Sequence, residues 1–176
     1  MAKPKKISPD AAKKMLDTPK FWLPNATITW VQTSVKAFPH TFKFRTGLEI
    51  ERGSSRIEPE GLFIDCSFKK SIIDGVPDRI SITLLVENAR VFGIDENGPS
   101  RHLNLVGVGH PYYQKEVSHP HIHLPVNESC YGYVEPLPPQ SIEDLWDLFL
   151  KKAAIHGAPV FSKPEAIAPD GQMVLI

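Results

Sequence analysis

The sequence lacks several features that would place a protein in a broad class at once. It contains no run of about 18 consecutive apolar residues, so it predicts no membrane-spanning helix and no membrane partner. It has only two cysteines, which are too few for a disulfide framework. Lysine and arginine together number 20, as do aspartate and glutamate. This balance argues against a broad positive surface for nucleic acid and leaves room only for a small local patch.

The start of the chain also lacks a targeting signal. Residues 1–6 are basic, but no apolar segment follows them, as a secretory signal would require. We therefore expect a cytoplasmic protein. In that reducing compartment Cys66 and Cys130 are each expected to be free thiols.

Length and composition indicate an ordinary globular chain. The 176 residues, 41% hydrophobic and 23% charged, suit a single domain over residues 1–176. Within it we expect residues 1–7 to be flexible and residues 157–176 to form an irregular tail. The 17 prolines fall mostly between predicted elements, which indicates a compact fold rich in loops.

Two helices are predicted, one near each end of the chain. Residues 8–16 form the first, with Ser8 as a plausible N-cap. Residues 141–153 form the second, where Ser141 and Asp144 have the spacing of a capping box.

Between the helices, several segments alternate apolar and polar residues in the manner of strands. These are residues 41–52, 61–69 and 80–94, the last interrupted near residues 86–88 by a turn or bulge. A helix, a run of strands and a second helix predict an α+β fold, in which both helices pack on an antiparallel sheet.

The segment with the most candidate functional side chains is a strand predicted over residues 117–126. Pro120 and Pro125 would confine it to a sheet edge or a bulge. Side chains alternate along a strand, so its three histidines would share one face, with Cα atoms about 6 to 7 Å apart. They are His119, His121 and His123.

Such a row of histidines permits three interpretations. It can bind a divalent metal such as zinc, with His102, His121 and His123 as ligands and Asp95 or Glu96 as nearby partners. It can supply a general acid and a general base near neutral pH. It can also be a solvated face without special chemistry. The spacing His-x-His alone is a weak zinc signal.

The acid–base interpretation also requires a group that binds an anion. Candidates are Arg52, Arg56, Arg79, Arg101 and Lys115, of which Arg101 is the nearest to the histidines in sequence. Histidines beside an arginine suit cleavage of RNA through its own 2′-hydroxyl, where one histidine takes a proton, another donates one, and the arginine stabilises the phosphorane charge.

A further interpretation concerns Cys130. Its position nine residues after His121 is similar to the His-Pro-Asn…Cys arrangement of ubiquitin-conjugating enzymes, in which the cysteine carries a thioester. Here His121 stands in place of the asparagine. A partly buried cysteine without a role is the simpler interpretation.

Along most of its length the chain resembles a family of small uncharacterised proteins of bacteria and prophages, related to the TumE-type toxins of toxin–antitoxin pairs. The matching segments are residues 15–21, 51–53, 93–99 with His102 and Asn104, 119–123 and 141–155. The chain departs from the family at Gly93, where an arginine is usual, and in a gap from Asp95 to His102 that is one residue longer.

The resemblance implies a toxin-like ribonuclease with RNA as substrate and a cognate antitoxin as partner. His121 and His123 would form the acid–base pair, His102 and Asp95 would orient or complete the site, and His119 would be accessory. Arg52 or Arg101 would bind phosphate. The alternative is a metal-binding or protein-interaction module without catalysis, such as an inhibitor or immunity factor of a mobile element.

Overall fold

The computed structural model describes residues 7–33 and 38–165. The predicted flexible segment therefore lies almost entirely outside the described residues, and so does the end of the predicted tail. Residues 157–165 contain neither helix nor strand. The elements follow in the order α1 (Pro9–Asp17), β1 (Lys20–Trp22), β2 (Val31–Gln32), β3 (Thr41–Arg52), β4 (Ser55–Ile57), β5 (Phe63–Lys69), β6 (Arg79–Val86), β7 (Ala89–Glu96), β8 (Arg101–Leu103), β9 (Glu116–Ser118), β10 (His121–Val126), β11 (Ser129–Pro136), α2 (Ile142–Lys152) and β12 (Ile155–His156).

Both helices begin where the sequence predicts, because a serine caps each of them. The Ser8 hydroxyl accepts a hydrogen bond from the Ala11 amide at 3.2 Å. The Ser141 hydroxyl accepts one from the Asp144 amide at 3.0 Å. Each bond satisfies a backbone donor that the first helical turn leaves free.

The described strands form one large sheet and a separate hairpin. The main path of the sheet is β11-β10-β7-β6-β5-β3-β1-β12, β2 and β4 add to β3, and β8 pairs with β9. All pairs are antiparallel except β1 with β12. With helices on one side of this sheet, the predicted α+β architecture is confirmed.

The two faces of the sheet differ in polarity. One face packs against the helices, with Phe92 stacked on Phe149 of α2 at 5.3 Å between ring centroids. Residues of the opposite parity, such as Ser67 and Ser81, are only half-buried. The core side chains that the strands contribute include Phe42, Phe44, Ile64, Cys66, Phe68, Ile80, Ile82, Leu84, Phe92 and Ile94.

The predicted strand over residues 117–126 divides in two at Pro120. Its first part is β9, and its second is β10, which lies between β7 and β11 inside the sheet. The register shifts between Leu124 and Val126, so Pro125 occupies an irregularity, one of the two placements that the sequence predicts. The histidines of β10 consequently have neighbouring strands on both sides.

Among the described residues, the two α-helices are too short to cross a lipid bilayer.

Candidate functional site

Strand pairing brings an aspartate of β7 beside two histidines of β10. His121 lies opposite Asp95, and His123 lies opposite Gly93, so the three polar side chains share one sheet face. Oδ2 of Asp95 is 2.9 Å from Nε2 of His123 and 3.9 Å from Nε2 of His121. One ligand atom from each residue lies within 4.8 Å of the others. Asp95, His121 and His123 could therefore hold a metal ion.

Backbone carbonyls fix the orientation of both histidine rings. Nδ1 of His121 is 3.3 Å from the Ser118 carbonyl oxygen, and Nδ1 of His123 is 3.4 Å from that of Tyr131. A carbonyl oxygen only accepts, so an Nδ1–H of either ring can donate to it while Nε2 faces Asp95. Metal-binding histidines are held by the same arrangement.

His123 has a hydrogen-bond acceptor near each of its two ring nitrogens. Both ring nitrogens face acceptors, the Tyr131 carbonyl at Nδ1 and the Asp95 carboxylate at Nε2. A neutral imidazole has a single N–H and can satisfy only one of them. Either a second proton on the ring or a cation between His123 and Asp95 would satisfy both acceptors.

Asp95 has an oxygen without a partner. Its Oδ1 is buried and forms no hydrogen bond with any described residue. Buried polar atoms are nearly always hydrogen-bonded, and a bound ligand could satisfy this oxygen.

The electrostatics favour a charged aspartate and a neutral His121. Burial by itself raises the pKa of Asp95, but the hydrogen bond and charge of His123, with contributions from Ser81 and His121, lower it below the usual value. The pKa of His121 falls to about 4, chiefly through burial and also through the charges of His119 and His123. Near pH 7 both groups are in the form that binds metal.

Tyr131 of β11 forms one wall of the site. Its ring stacks on His123 at 4.2 Å with an interplanar angle of 2°. It occupies the space above Gly93, where a Cβ would lie 2.5 Å from the tyrosine oxygen. A side chain larger than that of glycine at position 93 would therefore clash with Tyr131. Nothing in the sequence singles out Tyr131.

His102 lies beside the three residues rather than among them. Its ring centroid is 5.7 Å from that of His121 and 5.4 Å from that of His123. Its Nε2 faces the Gly132 carbonyl at 3.2 Å, and it does not belong to the group of converging ligand atoms. Burial lowers its pKa. In the predicted metal set of His102, His121 and His123, Asp95 thus takes the place of His102.

His119 lies on the other side of His121, at 4.1 Å between ring centroids. It is half-buried, and its Nδ1 is 2.7 Å from the Ser100 carbonyl oxygen. All the predicted histidines and Asp95 therefore lie together, although His119 belongs to the loop before β10.

A buried asparagine positions the hairpin that carries His102. Nδ2 of Asn104 donates to the carbonyl oxygens of Tyr112 at 3.0 Å and Val134 at 2.9 Å. Its Oδ1 accepts from the Val134 amide at 2.8 Å. Asn104 is fully buried and fixes the segment after β8 against β11.

The two predicted phosphate-binding arginines do not join the cluster. Arg52 is exposed at the end of β3, where it pairs with Ser55 of β4, and β5, β6 and β7 separate it from β10. Arg101 forms an exposed ion pair with Glu116 at 3.2 Å across the β8–β9 hairpin.

Cys130 has the features of a structural cysteine. Its Sγ donates a hydrogen bond to the Ile7 carbonyl oxygen at 3.1 Å. Burial raises the pKa of its thiol, which disfavours the thiolate that a thioester-forming enzyme needs. Cys66 is buried in the core.

No protein-family model matches the chain, and no curated protein or solved structure shows significant similarity to it.

Proposed function

We propose that Asp95, His121 and His123 bind a divalent transition metal, zinc in the first place, and that the protein uses it to cleave RNA. The observation that carries the proposal is the convergence of ligand atoms from Asp95, His121 and His123, which all lie within 4.8 Å of one another. Two imidazoles and one carboxylate are a common ligand set of catalytic zinc, which keeps its fourth position open. The same set in a facial arrangement also suits Fe(II).

A bound ion would polarise a phosphoryl oxygen and stabilise the charge that develops on it. The protein has to supply the proton transfers, and the half-buried histidines on either side are placed to do so. His102 and His119 lie 5.7 and 4.1 Å from His121, measured between ring centroids. Neither is needed as a ligand in this proposal.

The proposed step is attack by the 2′-hydroxyl of RNA on the adjacent phosphorus. The O2′–P bond forms and the P–O5′ bond breaks. His102, whose lowered pKa favours the neutral ring, takes the proton of the 2′-hydroxyl. His119 gives a proton to the departing 5′-oxygen. The products are a 2′,3′-cyclic phosphate and a 5′-hydroxyl, so atoms and charge balance.

The choice of RNA rests on the resemblance to TumE-type toxins. The segments that carry it, residues 93–99 and 119–123, contain Asp95 and both β10 histidines. In this proposal a toxin role includes a cognate antitoxin that restrains the activity.

The test is cleavage of a defined RNA by protein purified without a histidine tag. Zinc or Fe(II) should support cleavage, a chelator should abolish it, and His121→Ala and Asp95→Asn should lose both metal and activity. The matched control is His156→Ala, because His156 is exposed on β12, far along the sheet from β10. Undiminished cleavage in the presence of a chelator would contradict the proposal.

Burial favours a second candidate. His121 and His123 are only 2% and 5% exposed, which also suits a structural metal site in a non-catalytic interaction module, such as an inhibitor or immunity factor. For such a module, metal removal would lower the melting temperature, and the metal-loaded protein would leave RNA intact.

A further inference from the structure

A groove runs over the polar face of the sheet and ends at the candidate metal site. Two adjacent cavities form it, of about 550 and 310 Å³, and both are lined by Ser67 and Ser81. The larger lies mainly over β3, β5 and β6, and the smaller extends to Asp95. The groove therefore reaches Asp95, while His121 and His123 line neither cavity.

A row of side chains paired across neighbouring strands forms the floor of the groove. Each residue of the row is the register partner of the next: Lys43, Ser67, Ser81, Asp95 and His121. Adjacent strands lie about 4.8 Å apart, so Lys43 is about 14 Å from Asp95 along the row. An extended chain lying in the groove would cross the strands and meet Asp95 at its end.

A second row runs parallel to the first and is also polar. Its successive partners are Arg45, Asp65, Thr83, Gly93 and His123. Arg45 donates two hydrogen bonds to the Asp65 carboxylate, so their charges offset each other. The middle of the floor consists of the small hydroxyl side chains Ser67, Ser81 and Thr83, which can donate to phosphate oxygens.

The cations that line the groove are free to bind an anion. Lys43 and Arg90 line the larger cavity, and Lys69 and Arg79 line the smaller. Over residues 7–33 and 38–165, Lys43, Lys69 and Arg79 take part in no ion pair. Arg90 lies 5.8 Å from the centre of the Tyr131 ring, beside the metal site. The larger cavity therefore has a surplus of positive charge, whereas the carboxylates of Asp95 and Glu96 line the smaller cavity beside its two cations.

We propose that this groove binds the phosphate backbone of single-stranded RNA and leads the scissile phosphate to Asp95, His121 and His123. The inference rests on the proposed function, since it identifies the substrate of that site. Unpaired cations beside donor hydroxyls match a phosphodiester chain, which offers repeated negative charge and acceptor oxygens. A groove lined by cations that follows one phosphodiester backbone is a binding mode typical of single strands.

The test is binding of a fluorescent single-stranded RNA of about 12 nucleotides in which every 2′-hydroxyl is methylated. This probe cannot be cleaved through O2′, so binding is measured apart from catalysis. We expect Lys43→Glu with Arg79→Glu to weaken binding at least ~10-fold, and the slope of log affinity against log salt to fall by roughly 0.7 per lost phosphate contact. Lys152→Glu is the matched control, because Lys152 is exposed in the last turn of α2, and we expect no loss.

Two results would contradict RNA binding in the groove. One is an absence of RNA binding by the wild-type protein. The other is a loss of RNA affinity in the Lys152→Glu control as large as that in the groove variant. If unmodified RNA is cleaved while the groove variants bind RNA as the wild type does, RNA binding in the groove is contradicted and the proposed function is retained. If the groove variants lose RNA binding but the wild-type protein leaves unmodified RNA uncleaved with zinc or Fe(II) present, RNA binding in the groove is supported and the proposed function is contradicted.

Discussion

Oδ2 of Asp95 lies 2.9 Å from Nε2 of His123, whose other ring nitrogen faces a carbonyl oxygen. The second oxygen of Asp95 is buried without a partner among the described residues. The position between Asp95 and His123 is lined by nitrogen and oxygen ligands and could hold a cation. Tests of metal affinity, acid stability, packing and hydrogen bonding follow from its geometry.

Replacing Asp95 by asparagine should weaken zinc binding at least ~100-fold, since loss of a direct ligand should cost no less than loss of an outer-sphere partner. His102→Ala should keep most of the affinity, because its ring lies beside the ligand group. Competition with a chromogenic chelator measures both constants. Equal losses in the two variants would show that His102 is a ligand, as the sequence predicts.

Acidification should destabilise the metal-free protein in a defined pH range. His121 has a pKa of about 4 in the folded protein and an ordinary value of 6.5. Between these values the unfolded chain binds the proton and the folded chain does not, so stability falls as the pH drops from 6.5 to 4. The loss is about 3 kcal/mol. Asp95, whose folded pKa is below 3.8, adds to the loss only at lower pH.

Urea denaturation with chelator present, at several pH values between 7 and 4, measures this loss. His121→Gln removes the titrating ring, and its stability should change less with pH. His156→Gln, at an exposed histidine, should follow the wild-type curve. An unchanged slope in His121→Gln would show that another group causes the acid sensitivity.

Gly93→Ala should destabilise the fold by about 1–3 kcal/mol, because the new methyl group would lie 2.5 Å from the Tyr131 oxygen and 3.0 Å from the Ile82 carbonyl oxygen. Tyr131→Phe removes the nearest of these atoms. In a double-mutant cycle, Gly93→Ala should therefore cost less in the Tyr131→Phe background. Midpoints of urea unfolding at constant slope give the four free energies, and strict additivity would show that Tyr131 is not the obstacle.

Asn104→Ala should destabilise the protein by roughly 3 kcal/mol, since it removes the side-chain partner of the Val134 amide and of the Val134 carbonyl oxygen. The Tyr112 carbonyl oxygen keeps its hydrogen bond from the Lys115 amide. Hydrogen exchange at the Val134 amide should accelerate. Asn127→Ala is the control: its Oδ1 accepts an exposed hydrogen bond from Lys13, and its loss should cost less than about 0.5 kcal/mol. Similar costs for both variants would contradict the role of Asn104.

Local patterns in the sequence were enough to predict the helices and most long strands. Serine caps start both helices, and alternation defines β3 over the predicted residues 41–52. The turn predicted near residues 86–88 is confirmed, with Glu87 and Asn88 at φ values of 50° and 64° between β6 and β7. These features depend on neighbours a few residues apart, so a single sequence contains them.

The composition of the site was only partly predictable. Strand parity correctly placed His121 and His123 on one face, but the ligand set derived from nearby histidines included His102 in place of Asp95. The residue of β6 that pairs with Asp95 could not be predicted by pairing residues in order from the β6–β7 turn either. The reason is that the register shifts between Leu84 and Leu85. That shift is what places Ser81 opposite Asp95.

The sequence by itself determined which side chains share a face of a strand or helix, because strand and helix periodicities are local. The tertiary structure decided that β10 lies inside the sheet beside β7 and β11, so that Asp95 meets His123 and two backbone carbonyls fix the rings. It also aligned Lys43, Ser67 and Ser81 in one row with that site. Contacts between strands distant in sequence depend on register and sheet order, and no local pattern encodes either.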